Sequence, residues 1–135
     1  MPAYLLDTSV YSQPLRRQPV VRALERWEVT GDAQCLVSVV SVAEVEFGLH
    51  FEGNQKRQQR YEALLQGRLD VVATDSAVWQ EFAKRKARQQ ILSLPVSDLD
   101  LLIAACAIYH RLIVATLNAK NFSKIEGCAW EDWSS

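Results

Sequence analysis

Three acidic residues, Asp7, Glu44 and Asp100, stand at positions from which carboxylates can bind a metal ion. Asp7 follows a short apolar run, and each of the other two stands three residues after a serine that can begin a helix. If the fold brings the three carboxylates into one pocket, their mutual repulsion raises their pKa values unless a cation lies among them. Ligand sets made only of oxygen favour Mg²⁺ or Mn²⁺ over zinc. The acids therefore predict a divalent-metal site on the condition that they converge, which spacing along the chain does not establish.

Each of these acids also has a purely structural interpretation. Asp7 can cap a helix or close a turn. Ser41 and Glu44 form a predicted capping box, in which Ser41 is the N-cap and Glu44 bonds back to the Ser41 N–H. Asp100 stands at the equivalent position after Ser97. Taken together, however, Glu44 and Asp100 both lie in a predicted first helical turn, where the positive end of the helix dipole favours a carboxylate.

The elements that must position these side chains alternate between short apolar runs and longer amphipathic segments. The predicted strands are residues 3–6, 35–40, 71–72, 112–115 and 128–130, and the predicted helices are a segment starting at Pro19 and residues 41–51, 55–66, 76–91 and 97–109. Such alternation predicts an α/β domain with a mostly parallel sheet. Ligands of such sheets bind beyond the carboxyl ends of the strands. The helix after Asp100 is apolar on all sides, which predicts a core helix.

Composition excludes several classes of protein. The 135 residues predict a single domain over 1–135, with 49% hydrophobic and 23% charged residues, as in ordinary globular proteins. The beginning of the chain lacks the basic region of a signal peptide. The three cysteines are far apart, which disfavours a zinc site or a disulfide framework and favours a reduced, cytoplasmic protein.

The net charge of −1 argues against a protein that simply coats phosphates, but the charges are unevenly distributed. One basic cluster comprises Lys84, Arg85, Lys86 and Arg88, and a second comprises Lys56, Arg57 and Arg60. Such runs usually form solvated helix faces.

Four motifs, in this order, resemble those of one family. They are Leu5-Leu6-Asp7-Thr8-Ser9, Ser41-Val42-Ala43-Glu44-Val45-Glu46-Phe47-Gly48, Asp100-Leu101-Leu102-Ile103-Ala104-Ala105 and Ile113-Val114-Ala115-Thr116-Leu117-Asn118, the last followed by Asn121-Phe122 and by Glu131-Asp132-Trp133. The sequence resembles a PIN-domain endoribonuclease, and more narrowly a VapC-type toxin of a type II toxin–antitoxin system. The resemblance implies a PIN-like three-layer sandwich, in which helices flank a five-stranded, mostly parallel sheet in the order 3-2-1-4-5.

The resemblance also implies a catalytic site. It assigns Asp7, Glu44 and Asp100 to an acidic Mg²⁺ site, where Mn²⁺ can substitute, and Asn118 to a catalytic position that is aspartate in many PIN domains. Asn121 stands at another position that is often acidic. The implied reaction is hydrolysis of structured RNA, tRNA or rRNA, to a 5′-phosphate and a 3′-hydroxyl, which inhibits translation and needs no catalytic histidine.

Further residues are candidates for contacts with the substrate. Thr8, Ser9 and Thr116 are candidates for phosphate or water contacts, although turn hydrogen bonds explain them equally well. Because a carboxylate pocket repels RNA, cations must flank it. The candidates for RNA binding are Lys84, Arg85, Lys86 and Arg88, together with Arg16 and Arg17.

The implied partners are a VapB-type antitoxin and a second copy of the chain, and no membrane. A non-catalytic PIN-like module that binds another protein is the alternative, favoured by Asn118 and Asn121. A haloacid-dehalogenase-like phosphatase is discounted because that chemistry needs a second aspartate where Ser9 stands.

Overall fold

A five-stranded parallel sheet forms the centre of the protein in a computed structural model that describes residues 3–135. Its strands are β1 (Tyr4–Leu6), β2 (Cys35–Ser38), β3 (Asp70–Val72), β4 (Ile113–Thr116) and β5 (Trp130–Asp132). The strand order is β3-β2-β1-β4-β5, and every neighbouring pair is parallel. The predicted order is therefore confirmed. The last strand, however, was predicted two residues too early, because Trp130 rather than Cys128 pairs with Val114.

Seven helices connect the strands along the described part of the chain. They are α1 (Thr8–Tyr11), α2 (Val21–Thr30), α3 (Val39–Glu52), α4 (Gln55–Leu64), α5 (Ser76–Ile91), α6 (Asp98–His110) and α7 (Ala119–Phe122). A 3₁₀ turn at Gln13–Leu15 joins α1 to α2. Within residues 3–135, no helix has the length and apolar character needed to cross a membrane.

The two faces of the sheet pack against separate hydrophobic clusters. Because successive side chains of a strand point to opposite faces, Leu5 and Leu6 belong to different clusters, as do Val114 and Ala115 of β4. The Leu6 cluster contains the buried Trp27 of α2, and the Leu5 cluster contains most of α6. This arrangement confirms the predicted three-layer sandwich.

Helix α6 carries Asp100 in its first turn, and the burial of the helix fixes the position of that turn. Its residues 101–107 are all buried, as the apolar sequence predicts for a core helix. The side chain of Ser97 caps this helix by accepting a hydrogen bond from the Asp100 N–H at 3.2 Å, again as predicted. On α5, in contrast, Trp79 is 48% exposed, whereas its neighbour Val78 is fully buried.

Helix α3 begins two residues earlier than predicted, and the predicted capping box of Ser41 and Glu44 is wrong. Strand β2 leads directly into the helix, so that Ser38 remains extended and its side chain accepts the Ser41 N–H at 3.3 Å. Ser41 consequently lies inside the first turn and Glu44 lies beyond it, so that Glu44 has no role in capping. Asp7 is an N-cap, which is one of the interpretations that the sequence allowed, but the four-residue helix α1 that it caps was not among the predicted helices.

Candidate active site

The candidate site lies beyond the carboxyl ends of the two central strands. Asp7 directly follows β1, and its N–H donates to the Ala115 carbonyl of β4 at 3.0 Å. The register pairs Leu6 with Ala115. The residues that come next along the chain, Asp7 and Thr116, therefore lie side by side. Both side chains are buried, with Asp7 2% exposed. The pairing of β1 with β4 therefore places a buried carboxylate beside a buried hydroxyl at this edge of the sheet.

The Asp7 carboxylate accepts three hydrogen bonds. Its Oδ1 accepts from the Ser9 hydroxyl at 2.6 Å and from the Val10 N–H at 3.0 Å, and its Oδ2 accepts from the Thr116 hydroxyl at 2.6 Å. Burial raises the pKa of the Asp7 carboxyl above its ordinary value, and the negative charge of Asp100 adds to the rise. The three hydrogen bonds oppose that rise because they favour the charged form.

The backbone orients both of these hydroxyl groups. The Leu117 N–H donates to Ser9 Oγ at 3.0 Å, and the Asn118 N–H donates to Thr116 Oγ1 at 2.7 Å. Each hydroxyl oxygen thus accepts a backbone N–H from the segment that follows β4, and each hydroxyl group donates its own proton to Asp7. In this structure Ser9 and Thr116 act as positioning residues for the carboxylate, and direct contact of either with phosphate or water stays a prediction.

Glu44 lies on α3, and a hydrogen bond from Thr8, the residue after Asp7, connects it to the region of Asp7. The Thr8 hydroxyl donates to Glu44 Oε1 at 2.7 Å and lies 3.0 Å from Ser41 Oγ. Glu44 lines an open cleft of about 190 Å³. Gly48, one turn further along α3, lines the same cleft, and a Cβ atom there would meet no atom within 4 Å. The face of α3 beside Glu44 is therefore open.

Asp100 approaches the site from α6 and has an amide partner. The side-chain amide of Asn121 donates to Asp100 Oδ2 at 3.3 Å. Sequence reasoning noted Asn121 only as an unusual residue at a position that is often acidic, and that departure was the one signal for a role in the site. Asn118 is exposed, and its side chain makes no capping hydrogen bond to α7. A catalytic role for Asn118 stays a prediction.

The expected cluster of three carboxylates is not assembled. Across residues 3–135, no three His, Cys, Asp or Glu side chains lie close enough together to hold a metal ion. Asp7 interacts with the charge of Asp100, whereas Glu44 is tied to Thr8. The donor set nevertheless fits a hard divalent cation, because carboxylate, hydroxyl and amide oxygens are the ligands of Mg²⁺ and Mn²⁺ and offer zinc none of its preferred sulfur or imidazole ligands.

The predicted basic cluster lies on α5, where every member forms an ion pair. The pairs are Lys84–Glu81 at 3.8 Å, Arg85–Glu81 at 2.9 Å, Lys86–Asp98 at 3.2 Å and Arg88–Glu126 at 3.2 Å. Contacts of this cluster with RNA stay a prediction, and its charge is largely compensated within the protein.

The parallel sheet in the order β3-β2-β1-β4-β5, with acids beyond its central strands, defines a PIN-like α/β protein. Residues 4–127 match the PIN domain family, and the chain belongs to it. The chain is similar to the tRNA(fMet)-specific endonuclease VapC of Shigella flexneri, with 27% identity over 134 residues that cover 97% of this chain and 98% of that protein. It is 29% identical to the toxin FitB of Neisseria gonorrhoeae over 135 residues, which cover 96% and 97% of the two chains.

A solved structure agrees with these relatives. The crystal structure of FitAcB from Neisseria gonorrhoeae superimposes with a TM-score of 0.87 at 26% identity, over 96% of this chain and 97% of that one. The resemblance to VapC-type PIN domains, predicted from the four motifs, is confirmed.

Proposed function

We propose that the chain is a Mg²⁺-dependent endoribonuclease that acts as the toxin of a toxin–antitoxin pair, with Mn²⁺ able to replace Mg²⁺. The observation that carries the proposal is the buried Asp7 carboxylate, which lies at the end of a central strand and interacts with the charge of Asp100. The names of the two relatives, a tRNA endonuclease and a toxin, support the same activity.

Asp7 and Asp100 would hold the ion, and Glu44 would have to move towards them from the neighbouring helix, because the three carboxylates do not lie close enough together in this structure. A divalent cation at this place lowers the pKa of a water molecule and neutralises charge that develops on the phosphate. The hydroxyl groups of Ser9 and Thr116 favour the charged form of Asp7 by donating hydrogen bonds to its carboxylate. Asn121 fixes one oxygen of Asp100 and leaves the other free for a ligand. Hydrolysis then yields a 5′-phosphate and a 3′-hydroxyl, without participation of the ribose 2′-hydroxyl.

The positions of the histidines agree with a reaction that uses no histidine base. His50 and His110 stand in the last turns of α3 and α6, whereas Glu44 and Asp100 stand near the first turns of the same helices. Since a helix rises 1.5 Å per residue, His110 lies about 15 Å along the α6 axis from Asp100.

The proposed substrate is structured RNA, tRNA or rRNA, whose cleavage stops translation in the cytoplasm. Unpaired loop bases are the part of such RNA that a protein can read. The name of the Shigella relative supports tRNA as the first substrate to test.

The proposed partners are a VapB-type antitoxin and a second copy of the chain. Exposed apolar side chains on two helices support a protein interface. Phe47 and Phe51 of α3 are 69% and 81% exposed and stack on each other with ring centres 6.0 Å apart. Val21 and Val29 of α2 are 62% and 88% exposed. The antitoxin is proposed to cover this apolar surface and block the site.

A pair of matched variants tests the enzymatic function. Asp100→Asn and Asp98→Asn make the same change two residues apart on α6, but only Asp100 interacts with Asp7, whereas Asp98 is exposed and pairs with Lys86. Purified protein is incubated with bulk tRNA and with rRNA, in Mg²⁺ and in EDTA. We expect cleavage by the wild type and by Asp98→Asn in Mg²⁺ alone, products with 5′-phosphate ends, and a loss of at least a hundredfold in Asp100→Asn, since an ion of this kind supplies several kcal/mol to the transition state. Equal activity of the two variants would refute the assigned site.

One observation favours the second candidate, a non-catalytic module that binds another protein. The three acids each have separate hydrogen-bond partners, and Asn118 offers an amide where an acid is expected. This candidate predicts that the wild type cleaves no RNA with any divalent cation, while Asp100→Asn still binds the partner encoded beside it.

A further inference from the structure

The second basic group of the sequence lies on a surface that differs in charge balance from α5. Its residues Lys56, Arg57 and Arg60 line a concavity of about 410 Å³ together with Arg16 and Arg17. We call these five residues the α4 basic surface. Among the ion pairs formed within residues 3–135, only one includes a member of this group, the pair Arg57–Glu52 at 3.3 Å. Five cations therefore share one acidic partner here. On α5, in contrast, four cations share three acidic partners.

The α4 basic surface is continuous with the cleft that Glu44 lines. Arg16 and Arg57 belong to it, and both also line the cleft that contains Glu44 and Thr8. An extended ligand that lies over Arg16 therefore also reaches this cleft. The cations on α5 are instead held towards Asp98, Glu81 and the segment at Glu126.

Two arginines of the α4 basic surface form hydrogen bonds with backbone carbonyls. Arg57 Nη2 donates to the Leu15 carbonyl at 3.1 Å, and Arg60 Nε donates to the Pro14 carbonyl at 3.0 Å. These bonds fasten α4 to the 3₁₀ turn that precedes Arg16. They leave the side chains of Arg16, Arg17 and Lys56 exposed at the rim. The positive charge is therefore concentrated on a fixed surface instead of a mobile tail.

We propose that RNA reaches the acidic cleft across the α4 basic surface, with its phosphates on Arg16, Arg17 and Lys56. This assignment rests on the proposed ribonuclease function, and it replaces α5 as the main electrostatic contact. A phosphodiester chain fits because it carries one negative charge per nucleotide, so that cations must offset its repulsion from the carboxylate of the cleft.

Two triple variants compare the surfaces directly. The first is Arg16→Gln, Arg17→Gln and Lys56→Gln, which spares the two arginines that bond backbone carbonyls. The matched comparison is Lys84→Gln, Lys86→Gln and Arg88→Gln, which removes the same number of charges from α5. Binding of a fluorescein-labelled unstructured RNA oligonucleotide is measured in EDTA against salt concentration, and thermal melting of each protein verifies that it is folded.

The expected result follows from the release of counterions. Each phosphate contact contributes about 0.7 to the slope of log affinity against log salt for single strands, so that the α4 variant should have a slope about two units shallower than that of the wild type. The α5 comparison should change the slope by less than half as much. An α5 variant that flattens the slope more than the α4 variant overturns the assignment, as does an α4 variant with the slope of the wild type.

The result of this binding experiment can be distinguished from the result of the test for ribonuclease activity. Cleavage in Mg²⁺ reports on the acidic site, whereas the salt slope in EDTA reports only on the surface that carries the RNA. A wild type that binds RNA through the α4 surface but does not cleave it supports the surface and refutes the enzyme. An α4 variant that binds RNA like the wild type but no longer holds the antitoxin reassigns the surface to a protein partner and overturns the proposal.

Discussion

Thr116 offers a sharp test of how the site holds its buried carboxylate. The variant Thr116→Val keeps the shape of the side chain but removes the hydroxyl that donates to Asp7 at 2.6 Å. The same hydroxyl accepts the Asn118 N–H at 2.7 Å, so that the variant also removes the acceptor of that N–H. The larger loss is the hydrogen bond to a charged and buried group, because hydrogen bonds to charged groups contribute more than those between neutral groups.

The size of the effect can be worked out from this loss. A hydrogen bond to a charged group contributes about 1.5–3 kcal/mol, so we expect Thr116→Val to lower the free energy of unfolding by about 2 kcal/mol. In a domain of this size, that change lowers the melting temperature by about 7 °C. The matched control Thr116→Ser keeps the hydroxyl and loses one buried methyl group, which costs about 1 kcal/mol.

The pH dependence distinguishes a hydrogen bond from simple packing. Because the pKa of Asp7 is higher in the folded than in the unfolded state, this residue favours folding fully below its unfolded pKa, and that contribution is lost as the pH rises through the folded pKa. Thr116→Val raises the folded pKa of Asp7 further, so its destabilisation is greatest where Asp7 is ionised and shrinks as the pH falls through that pKa. Thr116→Ser destabilises equally at all pH values.

Urea unfolding of the three proteins, in EDTA and over a range of pH, measures these differences. We expect RNA cleavage in Mg²⁺ to be retained by Thr116→Ser and weakened in Thr116→Val. A destabilisation by Thr116→Val that is the same at neutral and at acidic pH would refute the reasoning, because it would mean that the hydroxyl does not bond the ionised carboxylate.

Three other predictions concern separate parts of the fold. Ser38→Ala removes the N-cap of α3 and should cost about 1 kcal/mol in urea unfolding, and a cost below that of Ser41→Ala would return the cap to Ser41. Gln89→Leu leaves two backbone carbonyls, after α5 and after α7, without their buried donor, and should cost about 2 kcal/mol; a neutral result would mean that water reaches both carbonyls. Mg²⁺ at a hundred times its dissociation constant should stabilise the wild type by about 2.7 kcal/mol and Asp100→Asn by less, and equal shifts of melting temperature would contradict a role of Asp100 in binding the ion.

The sequence predicts elements best where the pattern is long. The amphipathic pattern at 76–91 matches α5, and the uniformly apolar run after Asp100 is the core of α6. Helix α1 was missed because four residues are too few for a helical period to be detected. The start of α3 was misplaced because two serines, Ser38 and Ser41, both fit a cap, and the choice between them depends on where strand β2 ends its pairing with β3 at Val72.

The candidate residues of the site could be identified from the sequence, but the hydrogen bonds between them could not. Asp7 follows a strand and Asp100 lies in the first turn of a core helix, both of which are visible in the sequence. That Thr116 bonds Asp7 depends on the pairing of Leu6 with Ala115 across two strands more than a hundred residues apart. The bond from Asn121 to Asp100 depends on how α7 packs beside α6. Neither arrangement leaves a signal in local spacing.

The energetics of Asp7 argue that it is more than a helix cap. Capping the four-residue helix α1 needs one acceptor, for the Val10 N–H, and contributes about 1 kcal/mol. An exposed serine or aspartate supplies that acceptor without burying a charge, whereas burying a charge costs several kcal/mol before compensation. Asp7 is 2% exposed, interacts with the like charge of Asp100, and accepts hydrogen bonds from Ser9 and Thr116 that favour its charged form. A cap alone does not account for so costly an arrangement. A bound cation would offset both the burial and the repulsion, and this is why we propose that Asp7 takes part in the reaction.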